Sequence, residues 1–502
     1  KLNIERATQL QKVEDLYRPF KQKRRTRATI AKEKGLEPLA QRVYEKQNEI
    51  DLHEESKNYI NEEHELHTID DVLAGTKDII AEWIADEPTY REKIRAVTYN
   101  KGTIQSSVKD KEEDEKKVYE MYYEFSEAVR NIVSHRILAL NRGEKEGLLK
   151  VAVNPPIDEI TAYLRKEIMV SNVNSEVEVF LNEVIEDSYK RLIQPSVERE
   201  IRNALSEKAE EQAIDVFSKN LQSLLLQPPL KGRYVLGVDP AFRTGCKLAV
   251  ITETGKVNEV GVIYPTAPRN DIKGAEKKIL EIMNQYPIEL IAIGNGTASR
   301  ETEQFIADTI ENNKLDVAYI IVNEAGASVY SASPLAREEF PDLQVEERSA
   351  VSIARRVQDP LAELVKIDPK AIGVGQYQHD VSQKKLNESL TFVVETAVNQ
   401  VGVNVNTASS SLLQYVSGLN KTVANNIVKL KKVPRLGNKT YEQSIGFLRV
   451  VDGKEPLDKT PIHPESYEVA KSLIKELGLT TDDLGSEELK QKLNQVNINQ
   501  LA

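Results

Sequence analysis

The carboxylate Asp239 stands in "VLGVDPAFRTG", residues 235–245, where a hydrophobic run ends. An acid at the end of a buried strand, beside a glycine that lets a ligand approach, is where many phosphoryl-transfer enzymes hold a metal. Gly237 is that glycine. Other groups capable of chemistry are few. The single cysteine, Cys246, excludes intramolecular disulfides and a cysteine-based metal cluster. His64 and His67 in "EEHELH" stand three apart, as metal ligands on a helix can. The glutamates around them favour an exposed acidic face instead. His379 in "QYQHD" has no role that its neighbours disclose, and nothing supports a serine or cysteine triad.

A second chemistry, phosphate binding, is written in the last quarter of the chain. "LLQYVSGLNKTVANNIVKL" and "VPRLGNKTYEQSIGFL" each place an apolar helix, a tight turn with glycine and leucine, then another helix. Glycine permits a positive turn dihedral, and the next helix's free amides make an anion site. Gly418 and Gly437 are the turn glycines. Asn420 replaces the glycine usual two residues after Gly418, and asparagine tolerates that left-handed conformation. From Gly418 to Arg449 the positive residues are Lys421, Lys429, Lys431, Lys432, Arg435, Lys439 and Arg449, against Glu442 alone. Phosphates held this way are gripped by backbone and charge, without base readout.

The elements that must position these groups follow from periodicity. At 502 residues the chain has room for about three domains. Residues 1 to 228 read as almost wholly helical, with apolar positions three and four apart and breaks at "VNPP" and "QPPL". Beyond 231 the pattern becomes strand-like. "YVLGV" is a buried strand, and "CKLAVITETGKVNEVGVIYP" is a hairpin about Thr254-Gly255. A helix over "IKGAEKKILEIMNQY", the strand "IELIAIG", a helix capped by Ser299 and the strand "VAYIIV" follow. "SAVSIARRVQDPLAELV" is a helix disturbed at Pro360. This is the element order of a ribonuclease H-like fold, which by itself says nothing of activity.

Composition narrows the partners. The charged fraction of 29%, the hydrophobic fraction of 40% and a net charge of −11 suit a globular, cytoplasmic protein that docks polyanions only at chosen places. No apolar run approaches the roughly 18 residues that span a membrane. A further basic cluster holds Lys21, Lys23, Arg24, Arg25 and Arg27 beside Tyr17 and Phe20. That mix serves packing or protein docking as readily as phosphate. The chain opens at Lys1 with neither methionine nor apolar signal, as a piece of a longer protein would.

The strings "DLYRPFKQKRRTRATIAKEKGLEPLA", "GVDPAFRTG", "IGNGTASRETE", "VNEAGASVYSAS" and "KIDPKAIGVGQYQHDV" closely resemble the Tex family of bacterial transcription accessory proteins. The resemblance covers nearly the whole chain. It implies a multidomain, mainly α protein: an elongated helical scaffold, one α/β YqgF/ribonuclease H-like domain, and tandem helix–hairpin–helix motifs. It also implies binding of nucleic acid, RNA chiefly, and a C-terminal S1 barrel. No strand-rich segment follows "NQVNINQLA", so the chain reads as lacking that barrel. The expected boundaries are 1–228 helical, 231–367 ribonuclease H-like, 390–455 tandem hairpins and 456–502 a helical segment before the S1 position.

The carboxylate set decides between enzyme and binder. Two-metal nucleases of this fold converge several carboxylates on two ions about 4 Å apart. Glu324, after the strand "YIIV", is a candidate second ligand, and Asp359 in "RRVQDPL" a candidate late-helix third. The strand "IAIG" ends instead in neutral Asn295, and "GNGTAS" makes a hydroxyl-lined turn suited to an anion. Asp239, Glu324 and Asp359 therefore read as vestigial. The expectation is a monomeric, non-enzymatic factor without cofactor or resident metal, acting on RNA or DNA beside RNA polymerase or the ribosome. Its nucleic-acid contacts are Gly418, Asn420, Lys421, Lys429, Lys431, Lys432, Arg435, Gly437 and Lys439. The alternatives are a Mg²⁺-dependent, structure-selective nuclease using Asp239, Glu324 and Asp359, and a docking scaffold for polymerase or ribosome.

Overall fold

The computed structural model describes residues 7–8, 10–21, 25–373, 375–429, 437–451 and 453–495. Two compact units divide the chain, Lys1–Ala213 and Ile214–Ala502.

The first unit is mainly helical but not wholly so. Strands β1 (Thr103–Val108), β2 (Glu124–Ala128) and β3 (Leu149–Asn154) form an antiparallel sheet in the order β2-β1-β3. This amends the expectation that residues 1–228 are almost wholly helical. Strand β3 shows why a strand forms: Leu149, Val151 and Val153 are buried while Lys150 and Asn154 face solvent, a period of two. Strands β1 and β2 carry serines and glutamates and hide that signal among helical neighbours. Elsewhere in the unit, α1 (Leu10–Tyr17), α2 (Pro88–Lys101) and α3 (Gln194–Leu225) share a buried ion cluster. The fully buried Arg91 contacts Asp15 at 3.3 Å and also pairs with Glu200, and Arg95 reaches both acids.

The second unit is built on a five-stranded mixed sheet. Its strands are β4 (Val235–Asp239), β5 (Cys246–Ile251), β6 (Val257–Ile263), β7 (Leu290–Gly294) and β8 (Ala318–Val322). The order is β6-β5-β4-β7-β8. Strands β4, β5 and β6 pair antiparallel, and β4, β7 and β8 run parallel. Helix α4 (Ile272–Gln285) and α5 (Ser299–Asn312) follow β6 and β7. Two apolar layers sandwich the sheet, one holding Leu236, Val238, Ile279 and Ile306, the other Val235, Ala249, Ala292 and Ala354. The strands alternate their side chains between these layers, which is why β4 and β7 read as continuous apolar runs.

Two local expectations change. Helix α5 is preceded by Ala298 in the left-handed region (φ 66°) with no side-chain cap, and Ser299 is its first residue. The segment around Pro360 is two helices, α6 (Val345–Gln358) and α7 (Pro360–Leu364). Proline forces its predecessor out of helical geometry, and Asp359 sits at φ −149° and ψ 87° between them.

Candidate nucleic-acid interface and carboxylate pocket

Asp239 and Glu324 come together at the ends of parallel strands. Asp239 is the last residue of β4, and Glu324 lies two residues past β8. Burial raises both carboxyls above their ordinary range, and Glu324 is raised further by the nearby Asp239 charge. The Ser349 hydroxyl on α6 and Lys247, the cross-strand neighbour of Asp239 on β5, favour its ionised form, while Glu346 on α6 opposes it. Lys247 also donates to the Thr244 and Gly245 carbonyls, holding the loop that follows Asp239.

The turn after β7 already holds an anion, and that anion belongs to the chain. A Cβ on Gly296 would fall 1.7 Å from Glu324 Oε1, and one on Gly294 would fall 2.2 Å from Oε2. The Gly296 amide, beside the Glu324 carboxylate, favours its ionised form. Asn295 Oδ1 accepts from the Glu324 N–H at 3.1 Å, which ties the ends of β7 and β8. The neutral residue expected to weaken a metal site is thus a brace between strand tips.

Two expectations for this pocket are corrected. Asp359 does not face it: its Oδ1 caps α7, accepting from Ala362 N–H at 3.1 Å, and it pairs with Lys231 at 3.2 Å. The late helix α6 brings Ser349 beside Asp239 instead, with Glu346 near enough for its charge to raise Asp239 further. Gly237 admits a helix rather than a ligand, since a Cβ there would lie 2.3 Å from the Ala350 carbonyl and 2.8 Å from Ala354 Cβ. The histidine pair is also undone. His64 ends a one-turn helix that Glu65 terminates at φ 53°, so it shares no helix with His67.

The fold class implies divalent ions at such a pocket, and the residues do not fit a pair of them. Glu324 Oε2 is buried without a hydrogen-bond partner. Beside it stand the Ser349 hydroxyl, the Gly296 amide and the Asn295 amide at the β7 tip, where a pair of ions would need further acids. No cluster of three or more histidine, cysteine or acidic residues placed to hold a metal occurs among the described residues.

The hairpin region has a different construction. After α8 (Gln383–Val401) come α9 (Ser410–Leu413), α10 (Lys421–Lys429) and α11 (Asn438–Ile445). Gly418 adopts φ 82°, and a Cβ there would sit 2.8 Å from Gln443 Cβ, so α11 packs on the turn. Asn420 is not in the left-handed region. It is the cap of α10, its Oδ1 accepting from Val423 N–H at 3.0 Å. The first amides, Lys421 and Thr422, have no partner within the helix. Asn399 on α8 supports the turn by accepting from Ser417 N–H at 2.9 Å and donating to the Tyr415 carbonyl at 3.1 Å. Its signal in the sequence was only a polar residue on a packed helix.

Gly437 is extended, not left-handed, at φ −75° and ψ 167°, and it caps α11 with no side chain over the amides. Among the described residues nothing lies within 4 Å of where its Cβ would be. Lys421, Lys429 and Lys439 are exposed. Lys431, Lys432 and Arg435 lie outside the described residues. Arg449 is buried, donating to the Gly446 and Leu448 carbonyls at 2.7 and 2.9 Å, so it is no part of an exposed basic face.

Family models match four stretches. The Tex protein YqgF-like domain covers residues 233–358, and the Tex central region-like model covers 47–217. A helix–hairpin–helix motif covers 398–449, and a helix–hairpin–helix domain covers 455–502. A Bacillus subtilis protein printed as "Uncharacterized protein YdcI" is 62% identical, over 100% of this chain and 72% of its own length. The chain belongs to the Tex family. "Protein tex" of Bordetella pertussis is 44% identical over 94% of this chain and 63% of its own. "Transcriptional accessory protein Tex" of Neisseria gonorrhoeae is 42% identical over 96% and 65%. The chain therefore spans from under two thirds to under three quarters of these relatives. The second hairpin match falls on the segment expected to be plain helix, where Gly478 and Gly485 adopt φ 71° and 84° between two helices. No helix of the described residues is long and apolar enough to cross a membrane.

Proposed function

We propose that this Tex-family chain binds RNA, and DNA by the same contacts, as a non-catalytic accessory factor in transcription. The observation that carries the reading is the first hairpin: a left-handed Gly418, a helix start capped by Asn420, and exposed Lys421 beside free amides. That geometry suits a phosphate oxygen and ignores base identity. Gly437, with open space over the start of α11, and exposed Lys429 and Lys439 extend the grip. Lys431, Lys432 and Arg435 belong to it by sequence position. A cytoplasmic location and a polymerase or ribosome as the larger assembly go with this role, as does action as a monomer. The boundaries 1–228, 231–367, 390–455 and 456–502 are the proposed functional division.

The ribonuclease H-like domain acts in this reading as scaffold, because hydroxyl and amide groups stand where two-metal hydrolysis needs acids. The test is binding to labelled RNA and DNA across a salt series. Lys421→Glu with Lys439→Glu should weaken both ligands alike. Each lost phosphate contact should reduce the salt slope by about 1. Unchanged affinity and slope in the folded double mutant would remove the hairpins from this role.

A further inference from the structure

Strand β8 is an open edge of the five-stranded sheet. The Asn295 N–H donates to the Val322 carbonyl at 3.0 Å, so Val322, Ile320 and Ala318 turn their backbone groups to β7. Tyr319 and Ile321 turn theirs outward. No backbone partner meets those outward groups among the described residues. The side chains are unusually bare for a strand of this composition, with Tyr319 38%, Ile320 40% and Ile321 40% exposed. Natural edges are usually short, charged or covered, and this one is apolar and flat in sequence.

A groove of about 240 Å³ runs beside it, lined by Ile320, Ile321, Leu224, Pro228, Ile372 and Arg356 among others. Arg356 is the single charge in that lining. It is 4% exposed, and its Nη1 donates to the Asn323 and Ala325 carbonyls, both at 2.8 Å. Its Nε and Nη2 are buried without a hydrogen-bond partner. Burial lowers its pKa to about 10, opposed by the charges of Glu363 and Glu324, which make no hydrogen bond to it. Leaving guanidinium donors unmet in such a place costs free energy that an incoming carboxylate would recover.

We infer that β8 is a docking edge for an extended, apolar segment of a partner protein that carries a carboxylate. The segment pairs its backbone with Tyr319 and Ile321, lays apolar side chains in the groove and sets its acid on Arg356. A second copy of this chain fits less well, because "AYIIV" brings no carboxylate to Arg356. A nucleic acid fits less well again, since the lining is apolar and the edge alternates single donors and acceptors as a peptide does.

The whole chain, immobilised, is the bait for a phage-displayed random peptide library. Enriched peptides should alternate apolar residues and contain an aspartate or glutamate. Ile321→Pro deletes an outward N–H while leaving the ladder to β7 intact, and should weaken these peptides at least about tenfold. Replacing the peptide's acid by its amide should do the same, and that arm needs no altered protein. Absence of enrichment overturns the inference, as do peptides indifferent to both changes. A dimer in sedimentation that Ile321→Pro dissolves would assign the edge to a second copy. RNA affinity lost with Ile321→Pro would assign it to nucleic acid. Either result overturns the proposal.

Discussion

The Ser349 hydroxyl on α6 lies beside the Asp239 carboxylate at the end of β4 and favours its ionised form. That late helix brings both a hydroxyl, which favours the ionised Asp239, and Glu346, whose charge opposes it. The neighbouring Glu324 is favoured in its ionised form by the Gly296 amide and opposed by the Asp239 charge. The strand-tip acids are thus surrounded by groups of the chain itself.

Incubation with single strands, duplexes or branched junctions and Mg²⁺ or Mn²⁺ should give no cleavage above buffer. Asp239→Asn should bind RNA within about twofold of the parent, since the hairpins make the phosphate contacts. Gel assays at matched purity check both. Parental cleavage that vanishes in Asp239→Asn and in Glu324→Gln would make the chain a nuclease.

The acid pair should make stability depend on pH in a stated direction. Both folded carboxyls titrate above their ordinary values because burial penalises the charged form. Each therefore binds its proton more tightly folded than unfolded. The stability this contributes is full below the ordinary carboxylate range near 4 and is lost as pH rises through the raised folded value. The neutral isosteres Asp239→Asn and Glu324→Gln should raise the melting temperature at pH 7 by about 2 °C each. The gain should fade as pH falls toward about 4. A gain of equal size at both pH values would show that charge is not its cause.

Gly418 and Asn420 should be separable. Gly418→Ala forces a Cβ into the left-handed region and against Gln443, at a cost of about 1–2 kcal/mol. Asn420→Ala loses the cap to Val423 and costs about 1 kcal/mol. RNA affinity should fall about fivefold or more in Gly418→Ala, because the turn that aims the amides is displaced. Calorimetry and fluorescence anisotropy read the two quantities. A destabilised Gly418→Ala with parental affinity would place the phosphate grip elsewhere.

Arg91 should be the most sensitive position of the first unit. It is fully buried between Asp15 and Glu200, so Arg91→Met strands two acids with only Arg95 to share. The expected loss is about 3–5 kcal/mol. Trp83, the chain's single tryptophan, lies in that unit and reports its unfolding in urea by fluorescence. A midpoint unchanged from the parent would show that the cluster adds nothing net.

The N-terminal basic cluster should matter little for bare RNA. Arg25 is an exposed partner of Glu33 at 3.3 Å, and Lys23 and Arg24 lie outside the described residues. Arg25→Ala should leave RNA affinity within about twofold, as surface ion pairs are weak. A loss equal to that of the lysine reversals in the hairpins would reverse this ranking.

Periodicity in the sequence determined much of the second unit. The buried runs "YVLGV" and "IELIAIG", the hairpin about Gly255 and the amphipathic helices are each dictated by local hydrophobic spacing, and the structure has them in that order. Glycine and leucine between two apolar helices placed the hairpin turns, and Gly418 takes the dihedral its residue type predicts. Strands β1 and β2 were not legible, because their serines and glutamates pair across a sheet whose partners lie far along the chain. Only tertiary structure decided which acids meet. Asp239 finds Glu324 through parallel pairing across β7, while Asp359, also an aspartate, is turned aside by the proline after it. The same packing turned Gly237 toward a helix, Gly296 toward Glu324 and Asn420 into a cap. A residue's type sets what it can bond to, and the neighbours brought to it by the fold decide what it does bond to.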